Sequence, residues 1–60
     1  MPVSFDLPGA AVATGLSEYT LREAIRKGDL IVNYYGTKPL ILRDELQRFV
    51  ADLPTERKRS

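Results

Sequence analysis

The chain has 60 residues, of which 43% are hydrophobic and 28% charged, and its nine Lys and Arg against eight Asp and Glu give a net charge of +1. This length predicts one small domain with a minimal core. The sequence contains no Cys and no His, which excludes disulfides, thiolate or imidazole metal ligands and the usual catalytic nucleophiles and bases. We therefore expect a protein without enzymatic activity, metal or small-molecule cofactor.

The sequence also bears on location. No apolar run approaches the ~18 residues of a membrane span, and the N-terminus carries an early acid, Asp6, instead of a basic leader. The absence of Cys fits a reducing compartment. We expect a cytoplasmic protein with no membrane partner.

The first half of the chain predicts two helices joined by a tight turn. Asp6 as N-cap and Pro8 in the first turn favour a helix over residues 7–14, which Gly15 ends. Ser17 is a second N-cap and predicts a helix over 18–27, closed by Gly28. Its inward stripe is Leu21, Ala24 and Ile25, and its outward face carries Glu18, Tyr19, Arg22, Glu23 and Arg26.

The second half predicts a β-hairpin and a third helix. Two β-branched and aromatic runs, 30–34 and 40–42, flank a turn at 35–38 that has a glycine and a cation, and Pro39 restricts the second run to the start or edge of a sheet. Of Tyr34 and Tyr35, we expect one to enter the core and one to stay outside. From position 43 to 52 or 53 the period is helical, with one apolar face and two i, i+4 ion pairs; the apolar residues are Leu42, Leu46, Phe49, Val50 and Leu53, and the pairs are Asp44–Arg48 and Arg48–Asp52.

Pro54 divides the chain into a domain at residues 1–54 and a basic, flexible tail at 55–60. The order helix, tight turn, helix, hairpin and helix predicts a mainly α fold with a small β-hairpin, the winged helix-turn-helix. In that fold the second helix enters the DNA major groove and the hairpin, called the wing, reaches the flanking backbone.

Short runs of the sequence resemble those of the small excisionase-type, MerR-like winged helix-turn-helix proteins. They are Gly15-Leu16-Ser17 in the turn, Arg26-Lys27-Gly28-Asp29-Leu30 at the end of the second helix, and Asp44-Glu45-Leu46 at the start of the third. The resemblance spans about residues 5–53. It implies a factor that binds and bends attachment-site DNA and directs an integrase toward excision of a phage or mobile element.

Candidate DNA contacts lie on the second helix, the wing and the tail: Ser17, Glu18, Tyr19, Thr20, Arg22, Glu23, Arg26, Lys27, Gly36, Thr37, Lys38, Arg57, Lys58 and Arg59. Arg22 and Arg26 have an alternative role in surface ion pairs with Glu18 and Glu23. Glu18 could accept a hydrogen bond from a cytosine amino group or could orient Arg22. The tail could be a solvated end or an arm along the phosphates.

Residues 1–54 contain six cations and seven acids, so one copy should bind DNA weakly. The expected partners are therefore double-stranded DNA with attachment-site repeats, an integrase, and further copies of the chain along the DNA. Two other functions stay open. The same fold could serve a small MerR-like transcriptional regulator or the DNA-binding head of a terminase small subunit, or the second helix could dock a protein.

Overall fold

The computed structural model describes residues 2–54, which form three helices and a three-stranded antiparallel sheet. The elements are, in order, β1 (Ser4–Phe5), α1 (Leu7–Thr14), α2 (Glu18–Lys27), β2 (Asn33–Tyr35), β3 (Lys38–Leu42) and α3 (Arg43–Ala51). Strand β3 lies between β1 and β2. The domain is therefore mixed α and β, and the expectation of a mainly α fold with only a hairpin is corrected by the third strand.

The first two helices have the predicted bounds because their end signals are local. The Asp6 carboxylate accepts a hydrogen bond from the backbone N–H of Gly9 at 2.8 Å, and the Ser17 hydroxyl accepts one from the N–H of Thr20 at 3.0 Å. Gly15 ends α1 with a φ of 77°, a left-handed conformation that side chains with a Cβ disfavour. The chain can thus reverse and begin α2 within three residues.

The strand predicted over 30–34 is present only from residue 33, and residues 30–32 lie outside it. The N–H of Asp29 donates to the carbonyl of Ala24 at 2.8 Å and that of Gly28 to the carbonyl of Ile25 at 3.1 Å, which is the hydrogen-bond pattern of a Schellman motif. This turn folds the chain back over the end of α2 and buries Leu30 completely. Because the turn places Leu30 in the core, the chain pairs with β3 only from residue 33 onward.

The N-terminal strand β1 was absent from the predicted elements. Ser4 pairs with Leu42 and Phe5 with Ile41, and the N–H of Arg43 donates to the carbonyl of Val3 at 2.8 Å. A strand of two residues has too short a pattern for periodicity to reveal it.

Pro39 lies inside β3, the central strand, although a proline is expected at the start or edge of a sheet. It pairs with Tyr34 of β2, whereas β1 pairs only with Ile41 and Leu42. Among residues 2–54, no strand therefore lies beside Pro39 on the side away from β2, and the position is locally an edge.

One hydrophobic cluster joins the three helices to β3 and to the segment after α2. Three of its side chains, Leu21, Leu30 and Ile41, are fully buried, and the whole cluster is Leu7, Ala10, Leu21, Ala24, Leu30, Ile41, Leu46 and Phe49. The apolar face of α3 is narrower than predicted. Leu42 belongs to β3, and Leu42, Val50 and Leu53 keep 39–44% of their surface exposed and lie outside the buried cluster.

Gly9 provides a test of the cap on α1. A Cβ added to Gly9 would lie 2.8 Å from the Asp6 oxygen that accepts its N–H. Alanine favours a helix over glycine by about 0.8–1 kcal/mol, but here it would displace a cap of about 1 kcal/mol. We expect Gly9→Ala to stabilise the Asp6→Ala variant by more than it stabilises the unmodified domain, with a coupling of about 1 kcal/mol. Urea unfolding of the four proteins measures this coupling, and additive effects would contradict it.

Candidate nucleic-acid interface

The outward face of α2 is fixed by the residues that the helix buries. Leu21 and Ala24 lie in the core and Ile25 packs against it, so the opposite side of the helix faces solvent. Tyr19 is 69% exposed, and the predicted candidates Glu18, Thr20, Arg22, Arg26 and Lys27 are exposed as well, whereas Glu23 is half-buried. The strip predicted from the sequence is therefore present on one helix.

The arginines of this strip both have carboxylate partners. Arg22 Nη2 lies 3.7 Å from Glu18 Oε1. The Arg26 guanidinium contacts both carboxylate oxygens of Glu23, with the Nε to Oε2 distance at 3.4 Å. Lys27 has no ion-pair partner among residues 2–54. Exposed pairs of this kind contribute only about 0–1 kcal/mol to stability, so a partner that offers the arginines more than this can draw them away.

Two hydroxyls lie at the start of α2. The Ser17 hydroxyl donates to that of Thr20 at 2.9 Å while it caps the helix. The preceding turn is held by Thr14, whose hydroxyl accepts the N–H of Leu16 at 3.2 Å and donates to the carbonyl of Ala10 at 2.8 Å. The turn and the first residues of α2 are thus held by side-chain hydrogen bonds, and Leu16 of the turn packs against the core.

The hairpin ends in a two-residue loop, Gly36–Thr37, between the paired residues Tyr35 and Lys38. Gly36 has a φ of 64° and Thr37 does not have a positive φ, as in the tight turns that suit the twist of a hairpin. Tyr35 and Lys38 face each other across the ladder, so an aromatic ring and a cation share one side of the tip.

The expectation that one of the two tyrosines enters the core is wrong. Tyr34 is 62% exposed and Tyr35 is 79% exposed. Because β2 begins three residues later than predicted, both lie near the tip and beyond the buried cluster. Sequence reasoning left these residues out of the candidate interface; two adjacent aromatics beside a turn glycine are the signal that could have included them.

The described structure gives two separate candidate surfaces. Within residues 2–54, no hydrogen bond or ion pair joins the outward face of α2 to the hairpin tip at residues 35–38. Both attach to the same core, α2 through Leu21 and the hairpin through Ile41. The tail residues Arg57, Lys58 and Arg59 lie outside the described residues.

A polar network connects α3 to the segment between α2 and β2. Glu45 accepts the backbone N–H of Ile31 at 3.0 Å, and Arg48 donates to the carbonyl of Asp29 at 2.8 Å. Arg48 also pairs with Glu45 and, at 2.7 Å, with Asp52. The predicted Arg48–Asp52 pair is confirmed.

The predicted Asp44–Arg48 pair is wrong. The Asp44 carboxylate instead lies 3.8 Å from the Nε of Arg43. Arg48 pairs with Glu45, whose carboxylate faces the segment after α2. The network thus ties the segment between α2 and β2 to α3.

This network shifts the ionisation of its members. Hydrogen bonds from Arg48, and then from the N–H of Ile31, lower the pKa of Glu45 from 4.5 to about 2. The Glu45 carboxylate in turn raises the pKa of Arg48.

Two further properties concern the described part of the chain alone. No group of three or more acidic side chains there is placed to hold a metal ion. None of its helices is both long enough and apolar enough to cross a membrane.

The lowered pKa of Glu45 predicts acid sensitivity with a defined sign. A carboxylate with a depressed folded pKa stabilises the fold above its unfolded pKa, and this stabilisation is lost as the pH falls toward about 2. Glu45→Gln should therefore lower the free energy of unfolding near neutral pH and flatten its decline between about pH 5 and about pH 2. Asp44→Asn, which removes an exposed carboxylate from the same helix, is the control. Denaturant titrations across this range test it, and equal flattening by the two substitutions would contradict it.

Comparison with protein-family models, curated proteins and solved structures gives no match for this chain.

Proposed function

We propose that the chain is a winged helix-turn-helix protein that binds double-stranded DNA without enzymatic activity, with α2 as the recognition helix and the β2–β3 hairpin as the wing. The observation that carries this proposal is the outward face of α2, where Tyr19, Arg22 and Arg26 are exposed on a helix whose other side is buried. A three-residue turn connects this helix to α1, as a helix-turn-helix requires.

The dimensions and chemistry of α2 fit a major groove. A helix with its side chains is about 10–12 Å across, and the groove is about 12 Å wide. Arg22 and Arg26 lie one turn apart, and guanidinium groups bind guanine edges or phosphates with two hydrogen bonds. At the start of the helix, the Ser17 and Thr20 hydroxyls and the positive end of the helix dipole favour a phosphate contact.

The hairpin supplies the second proposed contact. Its tip is narrow, since only Gly36 and Thr37 lie outside the ladder. Lys38 brings a cation to the tip, and Tyr35 shares its side of the strand pair. A thin strand pair with a cation at its end suits the phosphate backbone or minor groove beside the site read by α2.

Within this function we propose the role of a recombination directionality factor in a bacterial cytoplasm. Support for this finer role comes from the resemblance to excisionase-type proteins in the turn and at the end of α2. The near-neutral charge of residues 1–54 supports binding by several adjacent copies or together with an integrase, because one copy offers few cations to the phosphates. Adding the protein to its integrase should then stimulate excisive recombination; unchanged recombination with altered output of a nearby promoter would favour a transcriptional regulator.

Substitution of Arg22 tests the recognition helix. Duplexes selected by the protein from a random library, and scrambled duplexes of equal length, serve as probes. Arg22→Ala should weaken binding to the selected duplex by about 1–3 kcal/mol and to the scrambled duplex by less, because a base contact is lost only on the selected site. Fluorescence anisotropy measures both affinities.

Arg43→Ala is the matched control, since Arg43 begins α3, pairs with Asp44 and has no hydrogen bond or ion pair with α2 among residues 2–54. It should change both affinities little. Equal losses from the two arginine substitutions would contradict recognition by α2, and failure of the unmodified protein to bind any duplex would contradict the proposed function.

A further inference from the structure

We infer that Glu18 and Glu23 compete with DNA phosphates for Arg22 and Arg26 and thereby weaken binding to DNA of arbitrary sequence. This inference rests on the proposed DNA-binding function and adds to it a control on specificity. It follows from the pairing of both arginines on the exposed face of α2 with glutamates of the same helix.

Both arginines lie beside a carboxylate before any DNA arrives. Glu18 and Arg22 are four residues apart, with the acid nearer the helix N-terminus, the favourable order for such a pair. Arg26 contacts both carboxylate oxygens of Glu23, whose side chain is only 30% exposed. Each guanidinium thus already has the partner that a phosphate would otherwise provide.

Random DNA offers an arginine little beyond its phosphates. To contact a phosphate, Arg22 or Arg26 must leave its carboxylate, and that carboxylate then lies close to the DNA and repels it. A base edge can offset this cost because it supplies directed hydrogen bonds. The glutamates therefore penalise contacts that carry no sequence information.

Lys27 shows the contrast on the same helix. It follows Arg26 directly and has no ion-pair partner among residues 2–54. Lys27 is thus available to phosphates without the competition that Arg22 and Arg26 meet. Competition by a glutamate therefore affects Arg22 and Arg26, the two arginines that are proposed to face the groove.

Neutralising one glutamate at a time tests the inference on random-sequence duplexes. Glu18→Gln and Glu23→Gln should each raise the affinity for these duplexes. Each should also steepen the dependence of log affinity on log salt by about 0.9, because each freed arginine gains one phosphate contact. The gain at about 50 mM salt should thus exceed that at about 200 mM by roughly 3.5-fold. Asp44→Asn makes the same change in net charge on α3, where Asp44 lies beside Arg43, and should leave the slope unchanged.

A double variant separates release of the arginine from simple loss of repulsion. In Glu18→Gln/Arg22→Ala, Glu18→Gln should still relieve repulsion, but it should no longer steepen the salt dependence, because no guanidinium is left to form the phosphate contact. Persistence of the steeper salt dependence in the double variant, or equal slope changes from Glu18→Gln, Glu23→Gln and Asp44→Asn, would overturn the inference while leaving the proposed function intact. Failure of the unmodified protein to bind any duplex would instead overturn the proposed function itself. Thermal melts by circular dichroism check that each variant is folded.

Discussion

The packing of three fully buried aliphatic side chains determines how the parts of this domain are arranged. Leu21 comes from α2, Leu30 from the turn after α2 and Ile41 from β3. Burying one such side chain contributes about 1.5–3 kcal/mol, and truncating one to alanine costs about 2–5 kcal/mol. Against the roughly 5–15 kcal/mol that stabilises a typical domain, each of these contacts is a large share. The orientation of α2 relative to the hairpin therefore depends on this cluster.

Structural and proposed functional charges lie on different parts of the domain. The network of Glu45, Arg48 and Asp52 joins α3 to the segment between α2 and β2 and lowers the pKa of Glu45. The charges on the outward face of α2 pair only with one another among the described residues. Substitutions on α2 can consequently change an interaction with a partner while the core and the α3 network keep the fold.

The sequence predicts those features that depend on neighbouring residues. The bounds of α1 and α2 follow from caps such as Asp6 and Ser17, whose hydrogen bonds reach only three residues along the chain. The outward strip of α2 follows from the helical period, once Leu21 is placed inside. These features required no knowledge of tertiary contacts.

Features that depend on distant residues could not be predicted in this way. The start of β2 is set by the burial of Leu30, and β1 exists only because Phe5 meets Ile41. Arg48 pairs with Glu45 rather than Asp44 because Glu45 also reaches the N–H of Ile31, fourteen residues away in the chain. The exposure of both tyrosines follows from that later start of β2.

The central claim is that α2 and the hairpin tip contact one and the same duplex. Backbone amide chemical-shift mapping by NMR, during titration with a selected duplex, tests it most directly. If α2 and the hairpin tip contact one duplex, the largest shifts fall on residues 17–27 and 36–38, while the apolar groove lined by Phe5, Ala13, Leu46 and Val50 shows little change. Shifts confined to that groove, or to only one of the two surfaces, would contradict the claim.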